Sequence, residues 1–180
     1  YEGTKARPTS LYEGQAGILL YFSNLYLATG RSRWSDAAKK VAAALVARAK
    51  KGDRGVAWPN ESEPEDEVIA AEPSPGYYVG TAGIGSAFSA CGMDDRAERL
   101  ARESAEWVLA RADREDNLIH WGEDTDIISG AAGTGLFLLD MHGRTREKRY
   151  REAAVGAADW LLSVAVKDGD GLKWKSTAQL

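Results

Sequence analysis

Asp126-Ile-Ile-Ser-Gly-Ala-Ala-Gly133 is the stretch that decides the fold, because two earlier segments repeat its pattern without gaps. The earlier copies are Ser10-Leu-Tyr-Glu-Gly-Gln-Ala-Gly17 and Gly76-Tyr-Tyr-Val-Gly-Thr-Ala-Gly83. Each copy has a small or polar residue, two apolar residues, one variable residue and then Gly-x-Ala-Gly. Recurrence of this kind is typical of repeat proteins, so we expect a fold of three equivalent units.

An apolar stretch follows each motif and ends at a glycine, over 18–30, 84–92 and 134–143. A glycine at that point is a common helix end. We therefore predict inner helices near 17–29, 83–91 and 133–142. The first stretch, and Leu136-Phe-Leu-Leu in the third, are apolar on nearly every face, which predicts helices that are buried all round.

An amphipathic segment comes next in each unit and has apolar positions at helical spacing. Residues 34, 38, 41 and 45 show this spacing in the first unit. The pattern predicts outer helices near 34–50, 94–112 and 146–166, each with one face in water. Each unit then closes with a short, extended segment that carries a tryptophan, namely Trp58, Trp121 or Trp174.

These elements predict an all-α fold, an (α/α) toroid of inner and outer helical hairpins. The chain 1–180 forms one partial toroid domain, with repeats at approximately 10–60, 76–122 and 126–175. Because a single unit cannot bury its apolar face alone, neighbouring units must stack. The link between the first two repeats contains the acidic run 61–67, which we expect to be a solvated loop.

The composition narrows the class of protein and of partner. The 180 residues are 44% hydrophobic and 28% charged, which is ordinary for a globular domain, and the formal net charge of −4 argues against nucleic acid and anionic membranes. No apolar run is long enough to span a membrane. The single cysteine, Cys91, excludes an internal disulfide and fits a cytoplasmic location. Because the chain begins at Tyr1 and ends at Leu180 without a closing signal, we expect both ends to be cut.

The glycine pair at the start of each inner helix has two interpretations. Small residues there allow close packing near the toroid axis, which is the more common role. The same glycines also expose backbone N–H groups, which suit anions or carbonyl oxygens.

Taken together, the first and third motifs resemble the LanC-like family, the lanthionine synthetase cyclases, over essentially the whole chain. The third motif, Asp126 to Leu139, is the most specific part of the likeness. The resemblance implies the N-terminal half of a toroid of about seven inner and seven outer helices. It also implies an enzyme that adds cysteine thiols of a ribosomally made precursor peptide to dehydroalanine or dehydrobutyrine, forming thioether rings.

The family's zinc ion is bound by two cysteines and a histidine in its C-terminal half, in Trp-Cys-x-Gly and Cys-His-Gly motifs. Neither motif occurs in this chain. The resemblance therefore implies that zinc is held by the missing half. Cys91, His120 and His142 are not spaced as ligands, so we expect structural roles for them.

The resemblance makes Asp126 an active-site residue that assists proton transfer or orients the peptide, facing the central cavity. The alternative is a structural role, because Ser10, Gly76 and Asp126 occupy equivalent positions and all are favoured helix N-caps. Glu123, Asp124 and Asp126 also form a carboxylate cluster of the kind that a sugar-active toroid enzyme could use.

Three functions remain open at this point. The first is a peptide cyclase, the second a carbohydrate-active (α/α) toroid enzyme, and the third a non-catalytic scaffold that binds peptides or thiols. Since three repeats do not close a ring, we expect an apolar edge that is covered by the remaining half or by a second chain. We predict that the 180-residue chain alone binds no zinc and closes no thioether ring.

Overall fold

The computed structural model describes residues 8–59, 72–92 and 94–177. Within these ranges it contains six α-helices and three two-stranded antiparallel sheets. Among the described residues, no helix is long and apolar enough to cross a membrane. The acidic run 61–67 lies outside the described residues, so its expected loop structure stays a prediction.

Three successive units each contain an inner helix, an outer helix and a β-hairpin. Unit 1 comprises α1 (Gln15–Thr29), α2 (Ser32–Arg48), β1 (Lys50–Gly52) and β2 (Gly55–Ala57). Unit 2 comprises α3 (Thr81–Cys91), α4 (Asp95–Leu109), β3 (Asp113–Glu115) and β4 (Leu118–His120). Unit 3 comprises α5 (Ala131–Thr145), α6 (Lys148–Ser163), β5 (Val166–Asp168) and β6 (Gly171–Lys173).

The helices confirm the predicted architecture, and most of their ends lie within a few residues of the predicted ones. Helices α1 and α3 stop at Gly30 and Gly92, whose φ angles of 65° and 54° are left-handed and favour glycine. The predicted stop at Gly143 is wrong. Helix α5 continues through this glycine to Thr145 and ends where Arg146 adopts a φ of 61°.

The inner helices lie side by side, with α3 between α1 and α5, and each outer helix packs on the inner helix of its own unit. The core fills the space between these two layers and includes Leu19, Leu45, Phe88, Phe137 and Tyr150. This arrangement is the predicted succession of helical hairpins.

Only α3 is buried on nearly all sides, so the prediction of complete burial is wrong for the other two inner helices. Ile18 and Tyr21 on α1 are exposed, as are Leu136 and Leu139 on α5. The cause is position, because α1 and α5 each have one inner-helix neighbour among the described residues, whereas α3 has two.

The tryptophan-bearing segments are the second strands of β-hairpins, a feature that the prediction of a short extended piece did not specify. Each closing tryptophan follows its hairpin and donates its indole N–H to the outer helix of its own unit. The bonds are Trp58 Nε1 to the Leu45 oxygen at 2.7 Å, Trp121 Nε1 to the Val108 oxygen at 2.8 Å and Trp174 Nε1 to the Leu161 oxygen at 2.6 Å. The repeat therefore fixes each hairpin to its own outer helix.

The first two hairpins also pack on the outer helix of the next unit, β2 on α4 and β4 on α6. A glycine permits each approach. A Cβ at Gly55 would lie 2.1 Å from the backbone oxygen of Glu103, and a Cβ at Gly156 would lie 2.8 Å from Cγ1 of Ile119. Gly55 lies on the hairpin, whereas Gly156 lies on the outer helix. Both junctions therefore bring a hairpin close to a helix, but the glycine that makes room is on the hairpin in one and on the helix in the other.

Candidate functional site

A turn precedes each inner helix and folds back on the helix's first residues. The first N–H group of each helix donates to a carbonyl oxygen of the segment before the turn. These bonds join Gln15 to Pro8 at 2.9 Å, Thr81 to Ser74 at 2.8 Å and Ala131 to Asp124 at 2.9 Å. Because these donors already meet the chain's own carbonyl oxygens, they are not open to an anion.

The second glycine of each motif makes room for this turn. A Cβ at Gly83 would lie 1.7 Å from the Tyr77 oxygen, and a Cβ at Gly133 would lie 2.1 Å from the Ile127 oxygen. The Cβ at Gly133 would also come within 2.7 Å of Cβ of Tyr77 in the preceding unit. The glycine pairs are therefore packing positions, although the contacts they permit are with the turns rather than with a neighbouring helix near the toroid axis.

The predicted helix N-caps at Ser10, Gly76 and Asp126 are wrong. The residues that cap the three inner helices are Gly14, Gly80 and Gly130, four residues later in each motif. Two of the predicted residues cap the turn instead. The Ser10 Oγ accepts from the Glu13 N–H at 3.3 Å, and the Asp126 Oδ1 accepts from the Ser129 N–H at 3.0 Å.

Backbone hydrogen bonds join the turns of successive units into a row. The Tyr12 N–H donates to the Tyr78 oxygen at 3.0 Å, and the Tyr78 N–H donates to the Ile128 oxygen at 2.9 Å. These three residues occupy the same position in the three motifs. The row places the turns side by side at the end of the ring where the inner helices begin.

Asp126 lies in the third turn of this row and is partly exposed. Its Oδ1 accepts from the backbone N–H of Ile128 at 2.6 Å as well as from Ser129. Its Oδ2 has no hydrogen-bond partner among residues 8–59, 72–92 and 94–177. The carboxylate is thus held through one of its two oxygens.

The rest of the carboxylate cluster does not converge with Asp126 on a common point. Asp124 accepts through Oδ2 from the Ser129 hydroxyl at 3.0 Å and through Oδ1 from the Thr177 hydroxyl at 3.0 Å. It therefore ties the turn to the segment after the third hairpin, while Glu123 is exposed. These contacts give Asp124 a structural role.

The cysteine and the two histidines lie in three different settings. Cys91 is buried at the end of α3. His120 stacks on Trp160 with ring centroids 4.9 Å apart, and His142 contacts the Glu147 oxygen through Nδ1 at 3.0 Å. In the part of the chain that the structure describes, no group of three His, Cys, Asp or Glu side chains could hold a metal ion.

An apolar rim beside Asp126 was not identified from the sequence. Tyr12 and Tyr78 meet edge to face with ring centroids 6.2 Å apart, and Ile127 and Ile128 continue the row with exposed side chains. The signal was present, because the two residues after the first motif position are apolar in all three units. Apolar residues in a turn are easily assigned to the core instead.

A groove of about 750 Å³ lies on the outer side, between the first hairpin, α4 and α6. Its wall includes an ionic network in which Glu106 accepts from the Tyr150 hydroxyl at 2.8 Å and from Arg149 Nη1 at 2.7 Å. Burial, and then the Glu106 carboxylate, raise the pKa of Tyr150 well above its usual value. This network joins units 2 and 3, and Asp126 is not among the residues that line the groove.

Comparison with solved structures shows the fold. The chain superposes on a GH76 α-mannanase from Bacteroides thetaiotaomicron with a TM-score of 0.64 at 13% identity. The match covers 92% of this chain and 49% of the mannanase chain, which is a toroid of six helical hairpins. The chain thus spans about half the length of this structural relative, and at this identity the likeness concerns the fold alone.

A comparison with curated proteins finds no match. The family model described as "Lanthionine synthetase C-like protein" matches residues 5–179, which is nearly the whole chain. The three motifs and the helical hairpins agree with this match. The chain belongs to the lanthionine synthetase C-like family.

Proposed function

We propose that this chain is part of a peptide cyclase that adds cysteine thiols to dehydroalanine or dehydrobutyrine. The observation that carries the proposal is the Asp126 carboxylate, which the resemblance to the family implies is an active-site residue and which presents a free oxygen in the turn before an inner helix. The substrate is a ribosomally made precursor peptide, and the proposed location is the cytoplasm.

Thiol addition forms an S–Cβ bond, breaks the Cα=Cβ π bond and leaves an enolate that takes a proton at Cα. Asp126 is suited to one part of this reaction. Its Oδ1 is fixed by two backbone N–H groups, so Oδ2 has a defined position from which to orient the peptide or to assist the proton transfer. The adjacent apolar rim, with Tyr12 and Ile128, offers a surface for the peptide's side chains.

The described residues do not fit a thiol-activating zinc site. Cys91 is buried, and His120 and His142 are held by other contacts. A catalytic zinc site uses three protein ligands and leaves one position open. We therefore assign the zinc ligands, and with them thiol activation, to the remaining half of the toroid. That half, or a second chain, is also proposed to cover the open edge.

Substitution of Asp126 in the intact enzyme tests the assignment. Asp126→Asn keeps an oxygen that can accept from Ile128 and Ser129, so the melting temperature is expected to stay within a few degrees of wild type. Cyclisation is expected to fall roughly 10²- to 10⁴-fold, the usual contribution of a group that transfers a proton. Because ring closure leaves the peptide mass unchanged, the assay counts the cysteines that still react with an alkylating agent.

The matched control is Glu123→Gln, which removes an exposed carboxylate three residues away. It is expected to leave the rate unchanged. If Asp126→Asn cyclises at the wild-type rate, or if Glu123→Gln lowers the rate equally, the role of Asp126 is refuted. The 180-residue chain alone is expected to bind no zinc and to close no ring, which metal analysis and the same assay check.

A further inference from the structure

Helix α3 has one face that no other helix covers. Helices α1 and α5 flank it on its two sides, and α4 packs on its outer side. Within α3, every residue is buried except Ser86 and Ala90, which lie four residues apart and therefore on the same face. Since the other sides of α3 are covered, this face points to the inside of the ring, toward the central cavity.

A tyrosine of the preceding turn reaches this face. The Tyr77 hydroxyl lies 3.2 Å from the Ser86 hydroxyl, which is within hydrogen-bonding distance, and either group can be the donor. The contact is part-buried, so the two hydroxyl groups lie on the cavity wall rather than in open solvent. Tyr77 belongs to the second turn of the row whose third turn carries Asp126.

The second and third turns of the row are in direct contact. A Cβ at Gly76 would lie 2.9 Å from Cα of Ser129, and a Cβ at Gly133 would lie 2.7 Å from Cβ of Tyr77. The turn that carries Tyr77 therefore packs on the turn that carries Asp126. Because an extended peptide spans about 3.3–3.6 Å per residue, a peptide held at one turn also reaches the other.

The repeat shows that the fold does not require these two hydroxyl groups. Tyr77 lies three residues before the capping glycine of unit 2, and Ser86 lies six residues after it. The same two positions are occupied by Leu11 and Leu20 in unit 1 and by Ile127 and Leu136 in unit 3. Unit 2 thus departs from the repeat at both positions, and the two departures contact each other. Since an apolar pair satisfies the packing in the other units, the polar pair indicates a function.

The hydroxyl pair has one more donor than it can satisfy by itself. Two hydroxyl groups share one hydrogen bond, which leaves the second O–H group without an acceptor. Among residues 8–59, 72–92 and 94–177, neither hydroxyl has a second hydrogen-bond partner. The phenol is the stronger donor, so Ser86 is suited to donate to the Tyr77 oxygen, and the Tyr77 O–H group is then left for a bound molecule. The most abundant acceptor in a peptide is its backbone carbonyl oxygen.

We propose that Tyr77 donates a hydrogen bond to a backbone carbonyl oxygen of the peptide in the central cavity, and that Ser86 positions Tyr77 by donating to its oxygen. The inference rests on the proposed function for its ligand, a peptide that contains a dehydroamino acid. Tyr77 is thus a binding residue, and Ser86 is a positioning residue. A bond of this kind forms in the ground state as well as in the transition state, so it lowers KM and leaves kcat nearly unchanged.

The test uses a probe that separates peptide binding from ring closure. The probe is a fluorescently labelled synthetic peptide with one dehydroalanine and with serine in place of its cysteine, so it cannot form a thioether ring. Fluorescence polarisation measures its dissociation constant for the intact protein. A second peptide, which keeps the cysteine, reports cyclisation separately.

Tyr77→Phe removes the donor and keeps the ring. The dissociation constant of the probe is expected to rise roughly threefold to tenfold, which corresponds to the loss of one hydrogen bond between neutral groups. With the cysteine peptide, KM is expected to rise by the same factor at nearly constant kcat. The matched control is Tyr26→Phe, which removes a hydroxyl near the other end of α1 and should leave both values unchanged.

Ser86→Ala tests whether the serine acts through the tyrosine. Alone, it is expected to raise the dissociation constant about twofold to threefold, because Tyr77 keeps its donor but loses the group that positions it. In the Tyr77→Phe background it is expected to have no further effect, since no donor is left to position. Effects that add in the double variant would contradict the pairing.

A double substitution gives unit 2 the apolar pair of unit 1. Tyr77→Leu combined with Ser86→Leu reproduces Leu11 and Leu20, which the fold already accommodates. The melting temperature is therefore expected to stay within a few degrees of wild type, while the probe binds at least tenfold more weakly. A variant that unfolds would show that the hydroxyl pair is structural, and a variant that binds normally would show that the pair does not hold the peptide. Both outcomes contradict the inference.

The inference and the proposed function fail in different ways. An unchanged dissociation constant in Tyr77→Phe, or a wild-type protein that does not bind the probe, overturns the inference. A wild-type protein that binds the probe through Tyr77 but does not cyclise the cysteine peptide refutes the proposed function and leaves the inference standing.

Discussion

The second and third hairpins have nearly the same local structure but very different surroundings. Each closing tryptophan donates to its own outer helix, at 2.8 Å for Trp121 and 2.6 Å for Trp174. Yet Trp121 is 5% exposed and Trp174 is 44% exposed, while Ile119 and Leu172 are 7% and 50% exposed. The repeat therefore specifies how a hairpin attaches to its own unit, whereas burial depends on the unit that follows.

Replacing the closing tryptophans should separate these two contributions most clearly. Trp121→Ala removes a buried ring that donates to Val108 of α4 and is expected to cost about 3–5 kcal/mol of unfolding free energy. Trp174→Ala removes a half-exposed ring with the same hydrogen bond and is expected to cost about 1 kcal/mol. Urea unfolding in dilute solution measures both, and equal losses would contradict the comparison.

The hairpin glycines give a smaller contrast of the same kind. Gly55 has a φ of 111° and lies against α4, so Gly55→Ala is expected to cost about 2–3 kcal/mol through strain and overpacking. The Cβ of Gly171→Ala would make only an ordinary contact with the Asp168 oxygen, at 3.6 Å, so monomer stability should change by less than about 0.5 kcal/mol. Thermal unfolding of the two variants measures both losses of stability. A large loss of stability in Gly171→Ala would show that the third hairpin is already covered.

The polar junction between units 2 and 3 should give a smaller effect than Trp121→Ala or Gly55→Ala. Tyr150→Phe removes the hydroxyl that donates to Glu106, with an expected loss of about 1–2 kcal/mol near pH 7. Tyr12→Phe, at an exposed ring, is the matched control and should change little. Chemical unfolding of both variants and of wild type provides the comparison.

The stabilisation that Tyr150 provides is expected to decrease at high pH. Burial raises the pKa of Tyr150 in the folded state, so above about pH 10 the unfolded chain loses this proton first. The stabilisation is complete below that pH and declines as the pH rises. The difference between wild type and Tyr150→Phe should therefore shrink above pH 10, and a growing difference would refute the assignment.

Much of the fold was predictable because the same motif and the same apolar pattern occur three times in the sequence. The spacing of apolar residues and the terminal glycines predicted six helices whose ends lie within a few residues of the observed ones. The first strand of each hairpin was not predicted, since Lys50–Gly52 and Asp113–Glu115 are exposed and lack an alternating apolar pattern. Their pairing depends on the second strand and on the packing of the tryptophan.

The site was predictable only in part. The resemblance to the family singled out Asp126, and the sequence also predicted that its side chain would accept a backbone N–H group as a cap. The residue caps the turn rather than the helix, because carbonyl oxygens from before the turn occupy the first N–H groups of α5. Such bonds depend on how the turn folds back, which a spacing of glycines does not specify. A catalytic role for Asp126 stays a prediction.

The junctions between units were the least predictable feature. Gly55 lies on a hairpin and Gly156 lies on a helix, so the two glycines do not align in the repeat although they serve the same approach. A repeat alignment shows which positions are equivalent but not which units touch. Contacts of this kind require the three-dimensional arrangement.

Hydroxyl-radical footprinting of the closing tryptophans tests the central comparison most directly. In dilute solution, we expect rapid oxidation of Trp174 and slow oxidation of Trp58 and Trp121, measured for each residue by mass spectrometry. Equal oxidation of the three residues in dilute solution would contradict the claim that the third hairpin has the same local structure but lacks its cover.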